Sequence, residues 1–80
     1  MRVLLFGRLQ DVAGWREQTL ETAPATLAAL RNMLAAADAP LGDALAGPGI
    51  QAAVDRALVR GDVSLAGVGE VAFLPPMSGG

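Results

Sequence analysis

The sequence predicts an α+β domain in which a mixed sheet of about five strands is covered on one face by one main helix. Three observations carry this. Short apolar runs that suit strands stand at both ends of the chain, and one long stretch with helical spacing lies between them. The 80 residues are 52% hydrophobic and contain no cysteine, enough apolar mass for one small core without disulfides.

The elements run in order along the chain. "RVLLFGRLQ" alternates as a strand does, with Val3, Leu5, Gly7 and Leu9 on one face and Arg2, Leu4, Phe6 and Arg8 on the other. Gly14 supplies a turn, and "REQTLET" is the expected return strand of a hairpin, carrying Thr19, Leu20 and Thr22. In "PATLAALRNMLAAADAP", Thr26 is the expected N-cap, Leu27, Leu30 and Leu34 recur at i, i+3 and i+7 with Met33 beside them, and Pro40 is expected to end the helix. The glycines and Pro48 of residues 41–49 leave room only for a short helical turn within a loop. "QAAV" and "ALV" flank Asp55-Arg56 at the spacing of a two-residue turn, although the usual glycine is missing. "EVAFLPP" closes the set as a last strand after the turn-rich "RGDVSLAGVG". The order strand, strand, helix, strand, strand, strand is that of a β-grasp, with the first and last strands side by side in the middle.

One helix shields one sheet face, so the other face must meet solvent or a partner. Alternation puts Leu4, Phe6, Ala72 and Leu74 there, with Val71 and Phe73 directed inward and Arg2 and Arg8 as a rim. Scattered surface apolarity is one reading of such a patch. A docking surface with an aromatic and aliphatic centre and an arginine rim is the other.

Composition excludes several function classes. The net charge is −2 and the six basic residues, all arginine, are scattered, which argues against a phosphate-backbone ligand. The apolar start of the chain is broken by Arg8 and Asp11, and no run approaches the roughly 20 residues of a membrane span, so neither export nor membrane insertion is expected. Absence of cysteine fits a reducing cytoplasmic setting. There is no Cys, His, Lys or Tyr to act as nucleophile or general base, Ser64 and Ser78 have no basic partner to activate them, and the carboxylates fall mostly in expected turns, strand edges and helix ends. "GVGEV" and "GPG" lack the spacing and lysine of a phosphate loop, no metal set is visible, and Trp15 is expected to pack locally.

The distinctive chemistry is at "LPPMSGG". Pro75 and Pro76 restrict φ and favour an extended start, while Gly79 and Gly80 have no Cβ and could enter a slot too narrow for other residues. Six extended residues from Pro75 would reach roughly 20 Å, enough to pass from a docked domain into a neighbouring active site. The α-carboxylate of Gly80 is the candidate reactive group. No lysine on the same chain could capture it once activated.

"EVAFLPPMSGG" resembles the C-terminal signature of the small, sulfur-carrying subunit of molybdopterin synthase, a ubiquitin-like carrier. "VLLFGRLQDVAG", "TLAALRNMLAA" and "AAVDRALV" resemble its first strand, helix and middle hairpin, so the resemblance spans nearly the whole chain. It implies a β-grasp domain over residues 1–74 and an extended reactive tail over 75–80. It further implies adenylation of Gly80 by an ATP-dependent activating enzyme, conversion to a thiocarboxylate with sulfur from a donor protein, and delivery to cyclic pyranopterin monophosphate in the large subunit. No cofactor would be bound permanently, and the complex would pair two carriers with two large subunits. Position by position, partner-facing roles fall on Phe6, Leu58, Leu74, Pro75, Pro76, Met77 and Ser78, and the reactive tail on Gly79 and Gly80. Asp55 departs from the family, which often has Asn there. Two other readings are a β-grasp carrier for another pathway, such as thiamine or tRNA thiolation or protein modification, and a non-catalytic binding module.

Overall fold

The computed structural model describes residues 1–76; Met77, Ser78, Gly79 and Gly80 of the expected tail lie outside the described residues. The elements are β1 (Arg2–Leu5), α1 (Arg8–Ala13), β2 (Glu17–Thr19), α2 (Leu27–Ala37), α3 (Ala39–Leu45), β3 (Gln51–Val54), β4 (Ala57–Val59) and β5 (Glu70–Leu74). The five strands form one sheet in the order β2-β1-β5-β3-β4, with β1 and β5 parallel and the other pairs antiparallel. The first and last strands are neighbours, and β5 is the middle strand, as the β-grasp reading requires. Val3, Leu5, Ala52, Val71 and Phe73 are buried in one core with Leu27, Leu30, Leu34, Leu41 and Leu45 of the helices.

The first strand is shorter than its alternation suggests. It ends at Leu5, and the expected strand residues Arg8 and Leu9 belong to α1. Leu9 fits two patterns: it continues the period-two series from Val3 and Leu5, and it also shares a helical face with Val12 and Ala13, which pack against the core. The helical pattern prevails because a glycine brackets it at each end. Gly7 begins the turn, and Gly14, at φ 81°, ends it with its N–H donated to the Gln10 carbonyl at 2.8 Å. β1 and β2 therefore pair antiparallel through an intervening helix and not through a hairpin, and β2 is a three-residue strand ending at Thr19.

α2 matches the helical spacing, with Leu27, Leu30 and Leu34 buried. Its first turn would leave backbone N–H groups without intrahelical partners. Thr26 Oγ1 accepts from Ala29 N at 3.1 Å, Asp62 Oδ1 accepts from Ala28 N at 2.8 Å, and the Val63 carbonyl accepts from Leu27 N. Pro40 does not end this helix; it lies in the first turn of the next. Asp38 breaks the run by donating its N–H to the Leu34 carbonyl and accepting from Leu41 N at its own carboxylate. Proline is well suited to a first helical turn because its missing N–H would have no helical partner there. Residues 39–45 thus form α3, where a loop with a short helical turn was expected. α3 can lie close to α2 because residue 42 is glycine: a Cβ there would stand 2.5 Å from Ala35 Cβ.

The β3–β4 turn forms at Asp55-Arg56 as its spacing predicts. Both residues take positive φ, 47° and 71°, the signs of a type I′ turn. A side-chain contact stabilises this backbone. Asp55 Oδ1 accepts from Gly69 N and Glu70 N, each at 3.0 Å, which ties the hairpin to the start of β5. The acceptor is a single oxygen, so the amide oxygen of Asn could make the same bonds.

Asp55→Asn is accordingly expected to retain most of the stability of the parent. Asp55→Ala leaves two backbone donors without their partner and places a less tolerant residue at positive φ, for an expected loss of about 2 kcal/mol. Urea unfolding of the three chains measures both.

Candidate functional site

The candidate site comprises the open sheet face and the point where the chain leaves β5. Register assembles the face directly. Glu17, Leu4, Ala72, Ala53 and Leu58 stand side by side at one level across the five strands. One step nearer the end of β5 lie Leu74 and its neighbour Gln51, with Phe6 continuing the β1 side through a hydrogen bond from its N–H to the Phe73 carbonyl at 3.2 Å. Arg2 and Glu70 pair across the opposite end of the face, their side chains joined at 2.7 Å. With the Arg2 side chain half exposed and that of Glu70 13% exposed, this surface ion pair adds about 1 kcal/mol at most.

Phe6 is 43% exposed and Leu58 63%, while Leu4 and Leu74 are half-buried. Large apolar side chains thus remain at the surface around a centre of alanines. Two expectations change. Ala72, assigned to the exposed patch, is 6% exposed, because a methyl side chain in the middle strand is covered by its larger neighbours. Arg8 does not rim the face; as part of α1 it stands at the margin of a groove beside the diproline. Leu58 sits on edge strand β4, two strands or about 10 Å from Ala72, so the apolar surface reaches across most of the sheet.

At the far end of β5, Leu74 passes into Pro75 and Pro76. The parallel ladder ends at Leu5 opposite Phe73; counted two residues further, it would set Gly7 beside Pro75, where the two are in contact. The antiparallel ladder ends at Gln51 opposite Leu74; counted two residues further, it would set Gly49 beside Pro76, where the two are in contact. Both glycines have positive φ, 57° and 79°. A Cβ on Gly7 would stand 2.8 Å from Pro75 Cγ, and one on Gly49 2.8 Å from Pro76 Cβ. From sequence these glycines read as a strand position and a loop breaker, with no hint of their contact with the diproline. The signal is present in the two registers, but only pairing the strands reveals it.

The groove beside the diproline is open, about 470 Å³ in volume, and lies between α1, α3 and the loop before β3. Leu9, Val12, Ala44 and Ile50 give it an apolar floor, and Asp43 stands at its margin with Arg8. Trp15 is half-buried against the core. Among the described residues no three acidic residues cluster as a metal site, and no helix is long and apolar enough to cross a membrane. Of the residues assigned to the site, Phe6, Leu58, Leu74, Pro75 and Pro76 are placed; Met77, Ser78, Gly79 and Gly80 fall outside the described residues.

A five-stranded mixed sheet with helices packed on one face, an apolar open face, and a middle strand running straight into the C-terminal segment define a ubiquitin-like β-grasp domain. Residues 3–80 match the model of the ThiS family, and the chain belongs to that family of ubiquitin-like sulfur carriers. Among solved structures, it is similar to the crystal structure of SAMP1 from Haloferax volcanii, with a TM-score of 0.82 and 26% identity over 99% of this chain and 97% of that one. No curated protein matches the chain in sequence.

The exposed and buried apolar groups should separate cleanly on mutation. Leu58→Ser is expected to change stability by no more than about 0.5 kcal/mol, whereas Phe73→Ala, which empties a fully buried site, should cost about 3–5 kcal/mol. Thermal and denaturant melts of the two variants provide the comparison.

Proposed function

We propose that this chain is the sulfur-carrying small subunit of molybdopterin synthase. The observation that carries the reading is "PPMSGG" following directly on the middle strand of a ThiS-family β-grasp. A carboxylate is a poor electrophile until one of its oxygens becomes a good leaving group. An oxygen of the Gly80 carboxylate would therefore attack the α-phosphorus of ATP on an activating enzyme, releasing pyrophosphate and forming an acyl adenylate. A hydrosulfide equivalent from a donor protein then attacks the acyl carbon, AMP leaves, and a thiocarboxylate remains. Splitting one hard transfer into covalent steps is the logic of nucleophilic catalysis, with the catalytic groups supplied by the partners. The thiocarboxylate sulfur would next form a C–S bond to cyclic pyranopterin monophosphate in the large subunit as a carbon–oxygen bond of the precursor breaks and its oxygen leaves, and water would then cleave the acyl–sulfur bond, returning the Gly80 carboxylate and leaving the sulfur on the product.

The carrier's contribution is binding and delivery. Phe6, Leu58 and Leu74 are the proposed contacts to the large subunit, and Met77 and Ser78 the spacer leading to Gly79 and Gly80. Two carriers and two large subunits would form the complex, and ATP is consumed by the activating enzyme with no cofactor resident on this chain. A carrier for another sulfur pathway, thiamine or tRNA thiolation, or a protein modifier is the competing reading, since family membership is common to all of them.

Coexpression with an activating enzyme and sulfur source should raise the intact mass by one sulfur-for-oxygen exchange; an unchanged mass argues against any sulfur carrier. One residue added after Gly80 should abolish the gain. Complementation of a strain lacking the molybdopterin synthase small subunit then chooses the pathway: growth on a molybdenum-dependent enzyme supports the proposal, and thiolation without complementation assigns the chain to another route. Leu58→Asp, on a surface that folding does not need, should weaken large-subunit binding by at least about tenfold if this face docks.

A further inference from the structure

We infer that Gly7 and Gly49 form a clamp on Pro75 and Pro76 and are positioning residues for the tail. Proline has no N–H and cannot extend a sheet ladder from a middle strand. The sheet nevertheless continues to hold the chain beyond Leu74, by packing where hydrogen bonding stops. Just past the end of the β1–β5 ladder Gly7 lies against Pro75, and just past the end of the β3–β5 ladder Gly49 lies against Pro76. Each proline occupies space that a Cβ would claim, at 2.8 Å on both sides. Each glycine also holds positive φ, and Gly7, at φ 57° and ψ −134°, is in a region that residues with a Cβ scarcely enter. Two unrelated loops thus meet two consecutive rigid residues from opposite sides. The rings restrict φ at 75 and 76, the glycines restrict where those rings sit, and together they set the line along which the chain leaves the domain. A carrier whose end must enter a partner's narrow site gains from such preorientation, because small displacements of a reacting group are costly to rate.

This inference rests on the carrier reading, and its test keeps the two apart. In the NMR spectrum of the unmodified chain, Overhauser contacts are expected from Gly7 Hα to the Pro75 ring and from Gly49 Hα to the Pro76 ring. Their absence overturns the clamp whatever the function. Thiolation kinetics with an activating enzyme are then compared for the parent, Gly49→Ala, Pro76→Gly and the double variant. Gly49→Ala should lower kcat about tenfold with KM for the carrier unchanged, and the double variant should be no worse than the poorer single one, because glycine at 76 removes both the Cβ and the Cγ that the new methyl would meet. Additive losses, as expected if Pro76 served only as a partner contact, or an effect confined to KM, overturn the clamp and leave the carrier reading standing. Should Gly49→Ala fail to fold, Pro75→Ala/Pro76→Ala, altered beyond the end of β5, is expected to show the same fall in kcat; an unchanged kcat there overturns the clamp. A parent chain that gains no sulfur overturns the carrier reading, and the Overhauser contacts alone then decide the clamp.

Discussion

The parallel pairing of β1 with β5 governs the rest of the architecture. Parallel neighbours point the same way, so the end of the last strand arrives beside the end of the first. That single geometric fact brings Pro75 to Gly7, sets Phe6 beside Leu74 and gathers the apolar residues of the open face on adjacent strands. It also places β5 in the middle of the sheet, where both its edges are occupied and its inward side chains, Val71 and Phe73, are wholly buried. A segment leaving such a strand starts from one of the best-anchored points in the molecule.

The helical side keeps that anchor in place. Phe73 lies beneath Arg31, whose guanidinium sits 5.4 Å from the ring centroid while its Nη1 donates to the Leu45 carbonyl at 3.2 Å. One side chain of α2 therefore reaches both the middle strand and the C-terminal end of α3. Asp38, Thr26 and Asp62 satisfy helix-terminal N–H groups, so much of the polar side-chain chemistry in this small domain is devoted to helix ends. Asp55 does the equivalent for the hairpin. Acidic residues that look like idle surface charge in the sequence are, at these three positions, acceptors for backbone N–H groups.

Much of this is legible from residue patterns, and the misreadings share a cause. Leu27, Leu30 and Leu34 announce α2 because three leucines at helical spacing admit no strand interpretation. β5 is legible because "EVAFL" is short, apolar and bounded by turn residues. The start of the chain is ambiguous because Leu9 satisfies both periods, and only the glycines at 7 and 14 select the helix. Pro40 misleads because a proline marks a helix start as readily as a stop; the decision lies with Asp38, whose carboxylate caps α3. Phe6 and Leu58 stand on the surface, yet the alternation that puts Phe6 there cannot see that Ala72 is shielded. The contacts of Gly7 and Gly49 are least legible, since they depend on strand pairings that no local pattern contains.

The partners in the β1–β5 ladder lie 68 residues apart, as Arg2 and Glu70 do. During translation the first strand leaves the ribosome long before its central partner has been made, and the slow, long-range closure comes last. A product truncated before Glu70 lacks the middle strand and the diproline together. It leaves β1 with an open edge, which invites proteolysis or aggregation, and it offers partners no competent decoy.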